Sequence, residues 1–373
     1  MNQIKEILDN VAPEVLSVAV INLDNVAKNY NIVCDTLAPG KEAAAVVKAN
    51  AYGFGAVQVS KKLYAKGCRK FFVATISEGI EIRQVIPDDA NIYVLSGVFK
   101  GTEKLLYDNK LTPVLNCSEQ SELWIDYAQK IGERLHASVH VDTGMSRNGF
   151  MGDNDYSKIM QYLDVDFVMS HLACADDVNS DMNSLQLQRF TEKTKKFGNV
   201  KKCFSATNGI FLGNDFQFDI VRPGKALYGF SIREDKIGTV LPVLDLYSRI
   251  VQINHLQKGD TVGYGATFTA DKDMTTVTLG MGYADGFMRK LSSFGHGFLG
   301  GKILPMVGRV SMDYITLDAS EVSPEFLNVG DWVALTSTPD YTLEKWALEL
   351  GTIPHEISCR FGSRVKKIYI GEN

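Results

Sequence analysis

Residues 42–75 read EAAAVVKANAYGFGAVQVSKKLYAKGCRKFFVAT. EAAAVVK (42–48) and KFFVAT (70–75) are short, almost wholly apolar runs, the pattern of strands buried on both faces of a parallel sheet. Between them, GAVQVSKKLYAKG carries apolar residues at helical spacing, with Gly67 where a C-terminal cap belongs. The stretch is a strand–helix–strand unit, and it repeats. NIYVLS (91–96), LTPVLN (111–116), HASVHVD (136–142), VDFVMSHLA (165–173), KKCFSA (201–206) and FDIVRPG (218–224) continue the series. SLQLQRFTEKTKKFG supplies another helix, its basic last turn matched to the helix dipole. Eight strands alternating with helices predict a (β/α)₈ TIM-type barrel. The first strand is not followed by G-x-G-x-x-G, which argues against a dinucleotide fold.

Beyond about residue 240 the texture changes. YSRIVQINHLQKGDTVGYGATFT, TTVTLGMGYADG, KILPMVGRVSMDYITLD and GDWVALTS are strands broken by Gly and Asp turns, with helical pattern mainly at LEKWALELG (343–351). This predicts a mostly β C-terminal domain. The expected division is an extension over 1–15, a barrel over 16–240 and a β domain over 241–373. LSVAVINLD (16–24) is a strand that precedes the barrel and is able to join the second sheet instead.

The 373 residues suit two or three domains, and 45% hydrophobic with 22% charged residues is ordinary globular composition. A net charge of -5 without a dense Lys/Arg block gives no footprint for nucleic acid. No apolar run reaches membrane-spanning length, and MNQIKEILDNVAPEVLS is an acidic amphipathic segment rather than a signal peptide. Cys34, Cys68, Cys117, Cys174, Cys203 and Cys359 are scattered, with no C-x-x-C pair and no metal-ligand spacing. They read as reduced thiols in a cytoplasmic protein without a metal site.

In a barrel of this kind chemistry gathers at the C-terminal ends of the strands. Lys48 ends the first strand after an apolar run. A partly desolvated amine there favours its neutral, nucleophilic form, the condition for a Schiff base. VDTGMSRNG offers Arg147, MSHLACAD offers His171, SATNG offers Ser205, Thr207 and Asn208, and VRPGKALYG offers Arg222 and the Gly224–Lys225 backbone. The loops after strands seven and eight are where barrels commonly bind phosphate. On residue physics alone GYGATFT (Tyr264) and GMGYADGF (Tyr283, Asp285) read as hairpin chemistry with a packed tyrosine.

Together these blocks resemble the alanine racemase family of pyridoxal-phosphate enzymes. AVVKANAYGFGA is similar to its cofactor-lysine signature. VDTGMSRNG, SHLACADD, VRPGKALYG, VGYGATFT, LGMGYADGF and VGRVSMD follow in the family's order, over about residues 16–370. The resemblance implies a cofactor, pyridoxal 5'-phosphate, on Lys48, with Lys48 and Tyr264 as the bases on opposite faces of alanine. It implies Arg222 at the pyridine nitrogen and His171 orienting Arg222 and Tyr264. Tyr52, Thr207, Gly224 and Lys225 would hold the phosphate, while Arg147 and the Met312 main chain meet the substrate carboxylate beside Asp313. It further implies a homodimer in which Tyr264 and Met312 serve the partner's site, and D-alanine supply for peptidoglycan. A broader racemase acting on serine or lysine, and a non-catalytic cofactor carrier, are the alternatives; the β domain with its second base argues against the carrier. The chain departs from the family's commonest pattern at His140, where many members have a lysine, often carbamylated, and at Ser363, Ala206, Phe54 and Lys225.

Overall fold

The computed structural model describes residues 2–231, 239–336 and 341–372. The chain divides into two compact units, Leu23–Pro242 and Met1–Asn22 with Val243–Gly371. The first strand, β1 (Ser17–Asn22), therefore lies outside the barrel, and the barrel begins at Leu23 rather than at residue 16.

The barrel strands follow as β2 (Glu42–Ala43), β3 (Ala45–Val46), β4 (Lys70–Val73), β5 (Asn91–Val94), β6 (Leu111–Leu115), β7 (Leu135–His140), β8 (Leu163–Met169), β9 (Lys201–Ala206) and β10 (Ile220–Arg222). All pairs are parallel, in the order β2-β10-β9-β8-β7-β6-β5-β4-β3. The single run 42–46 supplies both ends of that order. Ala44 N–H donates to Val221 O at 2.8 Å, while Val47 N–H donates to Phe72 O at 2.9 Å on the other side. One run bonded to both neighbours closes the ring.

Inward residues from nearly every strand fill it: Ala44, Val46, Phe72, Tyr93, Val114, Phe167, Met169, Cys203 and Ile220 form one buried cluster. Packing of this kind makes the barrel a solid core, so ligands are confined to its ends. The expected helices form at Ala56–Ala65, before Gly67 with φ +92°, and at Asp181–Thr194.

In the second unit β11 (Leu244–Leu256) is the long central strand. It is followed by β12 (Thr261–Val262), β13 (Phe268–Thr269), β14 (Met274–Leu279), β15 (His296–Leu299), β16 (Lys302–Pro305), β17 (Ile315–Asp318), β18 (Trp332–Thr336) and β19 (Val365–Ile370). The sheet order is β16-β15-β18-β11-β1-β19, with β14 joining β11 to β17. The strand β1 is antiparallel to β11 and parallel to β19. Its residues Val18 and Val20 pack with Leu8, Tyr247 and Ala334. That apolar face explains its place in this sheet. Helix Leu343–Leu350 forms as its periodicity predicts.

Candidate active site

Lys48 lies two residues past the end of β3, and the backbone beyond it is unusual. Ala49, Asn50, Ala51 and Tyr52 all have φ between 51° and 57°, a left-handed turn built without glycine. Each such residue is disfavoured by roughly 1–2 kcal/mol, so surrounding contacts must hold the turn. Ala49 N–H donates to Glu78 Oε1 at 2.7 Å, and Asn50 Oδ1 accepts Ala56 N–H at 2.7 Å. The Tyr52 ring stacks on Tyr228 at 4.8 Å, and Tyr228 Oη donates to Val46 O at 2.7 Å. Glu78 also takes the Ala74 N–H at 2.7 Å, tying the end of β4 to the turn beside Lys48. Nothing in the sequence singles out Glu78, whose visible signature is only the capping box Thr75–Glu78.

Arg222 ends β10 and is buried. Its Nη2 donates to Ser170 O at 2.5 Å and Phe204 O at 3.2 Å, and its Nε to Cys203 Sγ at 3.1 Å. The guanidinium is thereby fixed against the ends of β8 and β9. His171, just past β8, has its Nδ1 buried and, among the described residues, without a hydrogen-bond partner. Burial, then the fields of Arg222, Arg147, Lys48 and His140, hold its pKa well below the usual histidine value. Arg222, Arg147, Lys48 and His140 therefore all stand within electrostatic reach of His171 at one end of the barrel.

Arg147 lies exposed on the loop after β7. Asp142 Oδ1 accepts Met145 N–H and Ser146 N–H at 3.1 and 3.0 Å, and Phe150 N–H returns to His140 O at 2.8 Å, closing that loop. His140 is itself buried, and its pKa is lowered to about 4, by burial first and then by Arg222.

On the far side of the same end, Thr207 Oγ1 accepts Gly224 N–H at 3.0 Å and Ala226 N–H at 3.4 Å. A Cβ on Gly224 would stand 2.5 Å from Tyr52 Oη. The tyrosine hydroxyl thus rests on bare backbone, so that two hydroxyls, Tyr52 Oη and Thr207 Oγ1, stand beside the Gly224 main chain. Such a donor set suits a phosphate. Lys225 opens the turn Lys225–Tyr228. Ser205 is committed elsewhere, its Oγ donating to Phe216 O at 2.7 Å.

In the second unit the hairpin reading of GYGATFT holds: β12 and β13 pair antiparallel around Tyr264. The packed tyrosine does not. Tyr264 is 72% exposed, and Tyr283, Met312 and Tyr314 are exposed as well. Asp313 is engaged by Arg364 Nη1 at 2.8 Å, a partner that the sequence reading did not single out.

The fold and the strand-end site define a (β/α)₈-barrel enzyme carrying a separate β unit. Two family models match, described as alanine racemase, N-terminal domain, over residues 21–232, and alanine racemase, C-terminal domain, over residues 243–369. The alanine racemase of Rhodospirillum rubrum is 39% identical over 360 residues, covering 94% of this chain and 95% of its own. That of Brucella abortus is 37% identical over 375 residues, covering 95% and 94%. Among solved structures, alanine racemase from Bartonella henselae with covalently bound pyridoxal phosphate superposes with a TM-score of 0.88 at 35% identity, over 95% of this chain and 99% of that one. This chain belongs to the alanine racemase family.

Proposed function

We propose that this protein interconverts L-alanine and D-alanine, with pyridoxal 5'-phosphate held on Lys48. The observation that carries the reading is the pairing, at one barrel end, of Lys48 with a phosphate-suited cradle. Tyr52 Oη, Thr207 Oγ1 and the Gly224 main chain converge there. Lys48 Nζ would attach the cofactor, Tyr52, Thr207, Gly224 and Lys225 would hold its phosphate, and Arg222 would face its ring nitrogen. When bound, the cofactor delocalises the electron pair left as the α-proton departs.

The chain's own groups do the rest. Racemisation requires a proton to leave one face of the α-carbon and return on the other. Lys48 Nζ moves the proton on the D side and Tyr264 Oη on the L side. Arg222 is a permanent cation with no proton to give, so beside the ring nitrogen it would disfavour protonation there and restrain side reactions. Its three hydrogen bonds, which hold the guanidinium at the ends of β8 and β9, support that role. His171, neutral through burial and its cationic neighbours, orients Arg222 and Tyr264 without adding charge. Arg147 and the Met312 main chain receive the substrate carboxylate, with Asp313 beside them.

A homodimer belongs to the same proposal, with Tyr264 and Met312 completing the site of a second copy. Large apolar side chains at Tyr264, Tyr283, Met312 and Tyr314, all exposed in the single chain, support burial against a partner. The division into a barrel that binds the cofactor and a β unit that brings the second base is part of this reading. Six cysteines, none in a disulfide among the described residues, support a reducing, cytoplasmic setting, and D-alanine for peptidoglycan is the proposed use. Among the described residues no helix is long and apolar enough to cross a membrane.

The test is a rate comparison of purified protein on L-alanine, L-serine and L-lysine, with and without pyridoxal phosphate. Cofactor-dependent formation of D-alanine, faster than that of D-serine or D-lysine, is expected. A faster rate on serine or lysine would reassign the substrate, and no racemisation would overturn the reading.

A further inference from the structure

Arg364 precedes β19, and its guanidinium bridges two loops far apart in sequence. Nε and Nη2 grip Asp285 side-on, at 2.6 Å to Oδ1 and 2.8 Å to Oδ2, while Nη1 reaches Asp313 Oδ1 at 2.8 Å. Asp285 is buried, and its Oδ2 also accepts Gly282 N–H at 2.8 Å. A fork of this kind fixes both partners in plane, as a lysine cannot.

The two loops are also in backbone contact. Tyr283 N–H donates to Ser311 O at 3.0 Å and Ala284 N–H to Met312 O at 3.0 Å. A Cβ on Gly282 would lie 2.4 Å from Met312 O, so only glycine permits the approach. The Met312 carbonyl is committed to Ala284, and among the described residues no hydrogen bond takes the Met312 N–H. A carboxylate needs such a donor.

We propose that Arg364 is a positioning residue: by gripping Asp285 and Asp313 together, it fixes where the Met312 N–H stands for the substrate carboxylate. This rests on the reading of Met312 as a carboxylate contact. Asp313 then acts as a strut for the loop, and Tyr283 and Met312 move as one rigid element. Loss of the fork leaves buried Asp285 without its cation and frees the Met312 loop to drift, which weakens carboxylate binding before it touches proton transfer.

The experiment uses the cofactor-loaded enzyme and the variants Arg364→Ala, Arg364→Lys and Asp313→Asn, with Arg360→Gln as a neighbouring surface control. Arg364→Ala is expected to raise KM for alanine roughly 10- to 100-fold while kcat falls less than about threefold. Added methylguanidinium should recover much of the KM. Arg364→Lys, which keeps a charge for Asp285, covers the case in which the alanine variant does not fold, and its KM should lie between. A fall in kcat with KM unmoved, or no rescue by methylguanidinium, would overturn the proposal. Binding of propionate, a carboxylate without an amine, followed by the cofactor's absorbance, gives a second readout independent of turnover. If the unmodified enzyme racemises no alanine, the functional reading fails by itself. The propionate affinities of wild type and Arg364→Ala then decide the positioning role, weaker binding supporting it and equal binding overturning it.

Discussion

His140 Nδ1 lies 2.9 Å from Asn116 Oδ1, and the direction of that bond is settled by the amide's other contacts. Asn116 Nδ2 donates to Val114 O at 2.8 Å and Leu95 O at 3.0 Å, so its oxygen is the acceptor. Gln120 Oε1 holds the Asn116 main chain at 2.8 Å, completing the brace. The imidazole must therefore donate from Nδ1, which leaves Nε2 as a lone-pair acceptor. At the position where many family members carry a lysine, this chain holds a neutral, tautomer-fixed histidine.

That arrangement sets a pH dependence of stability. The folded pKa near 4 lies below the ordinary histidine value of about 6.5, so the unfolded chain binds the extra proton first. The contribution is intact above pH 6.5 and is lost progressively as pH falls towards 4, by up to roughly 3 kcal/mol. Denaturant unfolding at pH 7, 6 and 5, at fixed protein concentration, should show wild type losing stability faster than His140→Gln. Parallel losses would contradict the assignment.

A neutral imidazole also cannot be carbamylated in place of the lysine. Activity should accordingly be insensitive to bicarbonate across a titration in carbon-dioxide-depleted buffer. Clear activation would mean that a carbamate forms elsewhere in the site.

Lys48→Ala removes the amine proposed to carry the cofactor. The purified variant should lack the visible absorbance of wild type after dialysis and lose racemisation. Unchanged absorbance would place the attachment on another amine.

How much of this was legible beforehand depends on whether a residue's partners are local. The run 42–48 announces a buried strand by composition, and helix Ala56–Ala65 by its spacing, because both answer to neighbours a few positions away. The left-handed turn at Ala49–Tyr52 has no such signal. Alanine gives no hint of positive φ, and the turn is held by Glu78 and Tyr228, which only the closed barrel brings there. Arg364 was hidden for the same reason, its two aspartates lying 79 and 51 residues away. Tyr264 misled in the opposite sense: its flanking glycines are hairpin residues, but the side chain they present is exposed.

Exposure at Tyr264 has a kinetic consequence if its hydroxyl is the L-side base. Tyr264→Phe removes the proton carrier and keeps the ring. Exchange of the α-hydrogen of L-alanine with solvent should slow by roughly 10²-fold or more, while exchange of D-alanine, served by Lys48, slows far less. Mass spectrometry of each enantiomer in deuterated water reads the two separately, and equal slowing would show that Tyr264 is not specific to one face.

Gly224 gives the sharpest test of the cradle. Its bare backbone meets Tyr52 Oη, and an added Cβ would stand 2.5 Å from that oxygen and 3.1 Å from the ring carbon carrying it. The ring cannot easily withdraw, because it is stacked on Tyr228, which is itself bonded to Val46 O. Gly224→Ala should therefore displace either the tyrosine or the Gly224 N–H that bonds Thr207 Oγ1, weakening cofactor affinity about tenfold or more. Tyr52→Phe removes the nearer of the two clashing atoms together with one proposed phosphate donor. In combination the two changes should cost less than the sum of their separate effects, since residues in direct contact couple. Cofactor titration of the wild type, the two single variants and the double variant measures that coupling. Strict additivity would mean that Tyr52 and Gly224 do not share a phosphate site.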